Sequence, residues 1–306
     1  MPSAALATHA ELTPHDQAQV LALVADAAAS DGVRPLSERF RLGLADAAPQ
    51  APHLLAHCGV GELTAYGRVL ADGQAELVVA PAHRRRGIGT ALVSALAYGG
   101  ARGIWAHGNL PAARALGQAT GWSFGRILYK LGRPVAAGDA LSPPLPAGYR
   151  LRGFRPGDES SWLAVNGRAF ARHPEQGAVT RADLDRLLAQ DWFDPEGLLL
   201  LIEEGTGEVV GSHWTKVDPA ERGPGPDGIP VPAGEVYVVA LDPRVHGRGL
   251  AGPLTQAGIA HLARRGLGSV VLYVDADNEP ALRTYQRVGF TELEAHAQYQ
   301  RDPGAP

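Results

Sequence analysis

The segments HRRRGIGTAL (residues 83–92) and VHGRGLAGPL (245–254) share one pattern. Arg84 or His246 comes first, then two spacers, a glycine (Gly87 or Gly249), an apolar residue, and Gly89 or Ala251. Each segment follows an apolar run closed by a proline turn, AELVVAPA (75–82) or EVYVVALDP (235–243). The reading is a strand, a glycine turn and a helix, written twice. The two glycines stand 162 residues apart (249 − 87), far beyond a solenoid period and close to the size of a domain.

Working outward, the surroundings repeat as well. Helical spacing with a Thr13-Pro14 start marks ELTPHDQAQVLALVADAAA (11–29), and RPGDESSWLAVNGRAF (155–170) takes that place in the second half. Short strands follow in each half: LLAHC (54–58) and ELTAYGRVL (62–70), then GLLLLIEE (197–204) and EVVGSHWTKV (208–217). After each glycine segment comes a short strand, ARGIWAHG (101–108) or GSVVLYVDA (268–276). Each of these leads into an asparagine-led helix, NLPAARALGQATGW (109–122) or NEPALRTYQRVGF (278–290). The stretch LGRPVAAGDALSPPLPAG (131–148) has no apolar periodicity and reads as a connector. The expected division is a first domain over residues 1–135, a linker over 136–148 and a second domain over 149–306. The expected class is α/β, of the α+β type.

Composition narrows the function. The 306 residues are 45% hydrophobic and 20% charged, with a net charge of −4. That fits globular domains and offers no basic excess for nucleic acid. No apolar run is long enough to span a bilayer, and the N-terminus lacks a secretory pattern, which points to the cytoplasm. The single cysteine, Cys58, leaves no disulfide framework or cysteine zinc cluster. The expected assembly is a monomer acting on a small molecule, without nucleic-acid, membrane or metal partners. Lysine occurs only at Lys130 and Lys216 among 28 basic residues.

Unpaired N–H groups at a helix start, with glycines that let the backbone approach, suit a pyrophosphate. Arg84, Arg85 and Arg86 add charge for it. The dinucleotide fingerprint lacks its third glycine, and no P-loop lysine is present.

With these residues the chain resembles the GNAT acetyltransferase superfamily. Its signature, Arg or Gln, two residues, Gly, any residue, Gly or Ala, is matched by Arg84, Gly87 and Gly89. Gly249 and Ala251 match it too, with His246 in place of the basic residue. The resemblance implies two tandem GNAT domains, each a mixed, mostly antiparallel sheet flanked by helices. It also implies acetyl-CoA as cosubstrate. Implied cofactor contacts are Leu77, Val78 and Val79, with Arg85, Arg86, Gly87, Ile88, Gly89 and Thr90. In the second half they are Val239, Ala240 and Leu241, then His246, Gly247, Arg248, Gly249, Leu250, Ala251 and Gly252. The last group is Asn278, Glu279, Pro280, Ala281, Leu282 and Arg283.

The segments HPEQG (173–177), GEVYVVALDP (234–243) and LYVDADNEPALRTYQRVGF (272–290) narrow the resemblance to tandem enzymes that acetylate the cysteinyl amine of cysteinyl-glucosaminyl-inositol. Glu235 is then the general base and Tyr285 the general acid. Glu38, Glu175, Lys216, Glu235 and Tyr273 would line the acceptor site. The first half has no counterpart of Tyr285: counting from Asn109 gives Leu116, and counting back from Gly121 gives Gly117. It is therefore expected to bind acetyl-CoA without reacting. The same Glu and Tyr would serve another amine, such as a peptide N-terminus or an aminoglycoside. A non-catalytic acyl-CoA sensor would need neither.

Overall fold

The computed structural model describes residues 6–46, 51–58, 61–141, 144–171, 176–219 and 221–301. In chain order the elements are β1 (Leu6–His9), α1 (Pro14–Asp31), α2 (Glu38–Leu42), β2 (His53–Cys58), β3 (Glu62–Val69), β4 (Gln74–Val79), α3 (Ile88–Tyr98), β5 (Gly103–Ala106), α4 (Pro111–Ala119) and β6 (Trp122–Pro134). Then come β7 (Tyr149–Gly153), α5 (Glu159–Ala169), α6 (Arg181–Leu188), β8 (Leu198–Glu203), β9 (Val209–Lys216), β10 (Arg222–Pro224), β11 (Pro230–Leu241), α7 (Ala251–Arg264), β12 (Ser269–Asp275), α8 (Glu279–Arg287) and β13 (Thr291–Arg301).

Local signals set the helix starts. The Thr13 hydroxyl accepts from the Asp16 N–H at 3.2 Å, and the Asp16 carboxylate accepts from the Thr13 N–H at 3.2 Å. Pro14 takes the first helical position, where an N–H has no helical acceptor to lose. Thr180 and Asp183 repeat this box at α6.

The chain forms two compact units, and each includes strand residues from both copies of the repeat. The first holds the chain up to Tyr129 and the residues from Glu294 on; the second holds Lys130–Leu293. In the first unit the strand order is β1-β2-β3-β4-β5, then β13, then the start of β6. Among β1 to β5 the pairs are antiparallel except β4 with β5, which pair in parallel at Gln74↔Gly103 and Ala75↔Ile104. β13 pairs antiparallel with β5 over Ala297–Gln300. In the second unit β7-β8-β9-β11 are antiparallel neighbours. β12 joins β11 in parallel over Ala233–Val236, and the end of β6 lies beyond it.

The unit boundary therefore falls inside β6, ahead of the proline-rich connector. Leu131–Pro134 read from composition as connector but finish the strand. The Val135 N–H bonds the Gly268 carbonyl at 2.9 Å, and the Ser269 hydroxyl bonds that of Arg133 at 2.9 Å. Pro134 sits at the strand's last position, where a missing donor costs least.

Helices cover both faces of each sheet. In the first unit, Val20, Leu23 and Ala27 of α1 and Phe40 of α2 pack with Leu55, Tyr66 and Val78. On the other face Val93 and Leu96 of α3 pack with Ala75, Ile104 and Tyr299, with Leu116 of α4 beside them. In the second unit, Trp162 and Val165 of α5 and Leu184 of α6 pack on Leu200, Trp214 and Val238, while Leu254 of α7 packs on Leu201 and Val210. Alternation along β4 and β11 thus sends neighbouring residues to opposite faces.

Candidate active site

Both glycine segments build one backbone shape. A short 3₁₀ turn, Pro81–His83 or Pro243–Val245, follows the strand. Arg85 (φ 63°) and Gly247 (φ 77°) then enter the left-handed region, as do Gly87 (φ 82°) and Gly249 (φ 75°) two residues on. Such turns present successive N–H groups to one side, a concavity for anions. A Cβ at Gly87, Gly247 or Gly249 would meet nothing within 4 Å, so the concave side is open. The first helical bond of α3 runs from the Ala91 N–H to the Gly87 carbonyl, which leaves the donors of Ile88, Gly89 and Thr90 pointing out of the helix start. In α7 the first bond is from Leu254 to Leu250, and Pro253 has no donor, so Ala251 and Gly252 carry this part.

The first motif residue acts as a latch. Arg84 Nε donates to the Val79 carbonyl at 3.1 Å, and His246 Nε2 bonds the Leu241 carbonyl at 3.1 Å. Both carbonyls belong to the last residue of the preceding strand. Because a carbonyl only accepts, His246 carries its hydrogen on Nε2. Histidine thus makes the bond that arginine makes in the other copy. One N–H on each terminal nitrogen of Arg84 forms a fork with Asp31, at 2.7 Å each, so Arg84 braces the loop while it also lines the cleft beside it. In the second unit the brace is Asp242, fully buried between Arg168 and Arg244. Burial opposes its ionisation, yet hydrogen bonds from Arg244 and Arg168 hold its pKa at about 2.

In the first unit a cleft of about 530 Å³ runs beside this loop. Leu77, Val79, Arg85, Gly87, Gly89 and Thr90 line it, with Leu110 and Leu116 of the facing segment. Val78 also lines the cleft, although it belongs to the core on the opposite face, while Ile88 packs against Ala56, Ala65 and Leu92 and Arg86 is exposed. An apolar trough ending in open N–H donors fits a long pantetheine-like arm with phosphates at one end.

In the second unit, Val239 and Leu241 pack on the α7 side, while Ala240 faces the α5 core. Gly247, Arg248 and Gly249 are exposed and Leu250 is buried. The Arg248 guanidinium reaches Tyr149 Oη at 2.7 Å and Glu203 at 3.2 Å. Asn278 caps α8 by accepting from the Ala281 N–H at 3.3 Å. Pro280, Ala281 and Leu282 form the first turn, bracketed by the Glu279–Arg283 ion pair at 2.9 Å.

Glu235 on β11 stands directly across from Lys216 on β9 and beside Val271 on β12. Tyr273, two residues past Val271, is on the same sheet face. The sheet thus brings Glu235, Lys216 and Tyr273 together. Between Val236 and Val238 the ladder slips, and Tyr237 is the extra residue. Such a bulge bends the strand and re-aims its side chains. Lys216 is buried, with Nζ 5.1 Å from the centre of the Trp192 ring and 5.3 Å from that of Tyr237. Tyr285 on α8 is half-buried, edge-on to Phe290 at 5.8 Å. Burial pushes its pKa up to about 12, so the phenol keeps its proton at ordinary pH. Among the described residues its hydroxyl has no hydrogen-bond partner. Glu38 begins α2 in the first unit. Glu175 and His173 lie outside the described residues.

The first unit differs at each of these stations. The β4–β3 ladder has no slip. Gln74 takes the place of Glu235: it pairs with Gly103 as Glu235 pairs with Val271, and its N-terminal cross-strand neighbour is Leu70 where Glu235 has Lys216. Its amide accepts from Gln298 Nε2 at 2.6 Å. The cap of α4 is Leu110, not Asn109, which settles the two counts on Gly117 as the counterpart of Tyr285. A Cβ at Gly117 would come within 2.9 Å of the Tyr299 ring. Tyr299 donates to Asn109 Oδ1 at 3.0 Å and fills that space from β13. Sequence reasoning did not single out Gln74, Tyr237, Trp192, Lys130 or Tyr299. The rarity of lysine was a signal for Lys130, while the others depend on register and strand exchange.

The mixed sheet, the N–H cradle and the glycine helix start are those of an acyltransferase. A model of the acetyltransferase (GNAT) family matches residues 26–122 and again 168–290. The chain belongs to this family and is an acyltransferase built of two GNAT regions. It is 46% identical to a mycothiol acetyltransferase of Thermobispora bispora, over 94% of this chain and 97% of that one. To the mycothiol acetyltransferase of Streptomyces coelicolor it is 45% identical, over 96% and 94%. Among solved structures, a GCN5-related N-acetyltransferase from Sphaerobacter thermophilus superposes with a TM-score of 0.71 at 24% identity, covering 98% and 97% of the two chains. A tandem GNAT protein from the clavulanic acid biosynthesis pathway gives 0.72 at 18% identity, covering 99% and 100%. At these identities the structural matches speak for the fold. No helix among the described residues is long and apolar enough to cross a membrane.

Proposed function

We propose that the protein transfers the acetyl group of acetyl-CoA to the cysteinyl amine of cysteinyl-glucosaminyl-inositol, the last step in making mycothiol. One observation carries the catalytic part: a carboxylate, Glu235, beside a strand bulge on the sheet face shared with Lys216 and Tyr273. The acceptor is supported by the relatives' names, which cover nearly the whole chain.

Acetyl-CoA supplies an activated thioester. In the second unit the N–H groups of residues 247–252 would hold its pyrophosphate, and the backbone of Val239–Leu241 would lie along its arm. Glu235 takes a proton from the substrate ammonium, since only the free amine attacks. Tyr285 holds a proton for the departing sulfur. Lys216 and Tyr273, with Glu175, orient the acceptor. The first unit binds acetyl-CoA in its cleft and does not react, because Gln74 and Gly117 offer neither base nor acid.

The test is incubation of purified protein with acetyl-CoA and cysteinyl-glucosaminyl-inositol, read by mass spectrometry for N-acetylation. Peptides and aminoglycosides run in parallel. Acetylation of one of those with no product from the cysteinyl acceptor would replace the reading.

A further inference from the structure

The sheet face that carries Glu235 continues to a group that no motif marks. Tyr273 is 38% exposed on β12. On the neighbouring strand, Lys130 Nζ lies 6.0 Å from the centre of the Tyr273 ring. The same ammonium is 2.8 Å from Glu221 Oε1, and the two side chains are only 10% and 13% exposed. Glu221 directly precedes β10, whose pairing with β11 at Arg222↔Pro232 and Gly223↔Val231 fixes it there. Withdrawing an ammonium and a carboxylate from water is costly, and apolar residues would fill the space at lower cost. The chain also uses Arg for nearly all its bases, yet places a compact ammonium here.

We infer that Lys130 and Glu221, with the face of Tyr273, form a subsite for a polyhydroxylated ring of the acceptor; this rests on the acceptor reading above. An ammonium only donates and a carboxylate only accepts. Side by side at hydrogen-bond spacing, they match two adjacent hydroxyls, one accepting and one donating. The Tyr273 ring offers an apolar surface to the C–H face of such a ring. Two strand steps separate β11 from β6, about 10 Å at the usual strand spacing. That is the reach from an amine held at Glu235 to a ring beyond the cysteinyl amide.

The test compares two acceptors, cysteinyl-glucosaminyl-inositol and cysteinyl methylamide, which keeps the amine and has no polyol. Its readout is the ratio of their kcat/KM values. In Lys130→Met/Glu221→Gln, which leaves no charge buried alone, the ratio should fall about 10–100-fold through KM of the full acceptor, the range for hydrogen bonds to charged groups. Glu221→Gln alone should lower it less. Thermal unfolding checks that both variants are folded. A ratio equal to the parent's, with both acceptors slowed alike, would make the pair structural and overturn the subsite. A parent that acetylates the methylamide as well as the full acceptor would refute the subsite while leaving the amine chemistry intact. A parent that acetylates neither removes the acceptor reading itself, and the subsite with it.

Discussion

The two units share a frame and fill it differently. Counting back from the paired strand ends, Val79 with Ala65 and Leu241 with Gly211, Arg68 and Glu76 occupy the station of Trp214 and Val238. In the first unit that layer is a buried polar network. Arg68 donates to the carbonyls of Ala51 and Gly43, Glu76 accepts from the Ser37 N–H at 2.7 Å and pairs with His107 at 3.0 Å, and His53 meets Tyr66 Oη at 2.9 Å. In the second unit the layer is aromatic. Trp162 stands edge-on to Trp214 at 5.4 Å, and Trp192 meets Tyr237 at 5.2 Å, with Lys216 over Trp192 and Tyr237. The anion cradle is alike in both, because it is made of backbone N–H groups and a latch that either Arg or His can supply. The groups proposed to handle protons differ, because such a role needs particular side chains at particular stations.

The largest effect should come from Glu235→Gln. Removing one proton-transfer group typically costs about 10²–10⁴-fold in rate. The deficit should shrink as pH rises and free amine becomes plentiful. A pH–rate profile at saturating acetyl-CoA that matches the parent's would erase the contrast between Glu235 and Gln74.

Tyr285→Phe comes next. A thiol like that of coenzyme A has a pKa near 8.5, so the thiolate departs with modest help. Turnover should drop at the low end of the acid–base range, about 10²-fold, with acetyl-CoA affinity little changed. Since the phenol is neutral up to about pH 12, kcat should show no alkaline fall from its ionisation below that pH. Activity within about twofold of the parent would make Tyr285 a packing residue like Tyr299.

A smaller effect is expected at the latch. His246→Leu deletes one hydrogen bond, worth about 1 kcal/mol, and should raise the KM for acetyl-CoA several-fold with kcat nearly intact. His246→Gln keeps a donor and should stay close to the parent. If Gln were as impaired as Leu, the likeness between His246 and Arg84 would fail.

The smallest effect on turnover belongs to Gly87→Val. A β-branched residue at φ 82° is strained, so the first unit's cradle should be lost. Calorimetry should then count one acetyl-CoA site fewer, while acetyl transfer persists at near the parental rate. Loss of turnover in a folded protein would show that the first unit takes part in the reaction.

Much of this was legible in the sequence. Thr13-Pro14, the alternating apolar strands and the proline-glycine turns are local devices, and their spacing repeats, so the paired domains followed from order along the chain. The cradle was legible because glycine marks the left-handed backbone it requires, and Asn278 was readable as a cap. Three matters were decided by tertiary structure. β13 joins the first unit and the end of β6 joins the second, since strand pairing is a long-range choice that alternation along one strand cannot express. The counterpart of Glu235 is Gln74 only once the slip at Tyr237 is known, because one extra residue shifts every later partner. Arg84 read as a phosphate ligand and also braces the loop, because Asp31, 53 residues away, takes two of its donors. Sequence determined which backbone shapes and which chemical groups were present; packing decided which of those groups face one another, since a side chain's role depends on partners brought from distant parts of the chain.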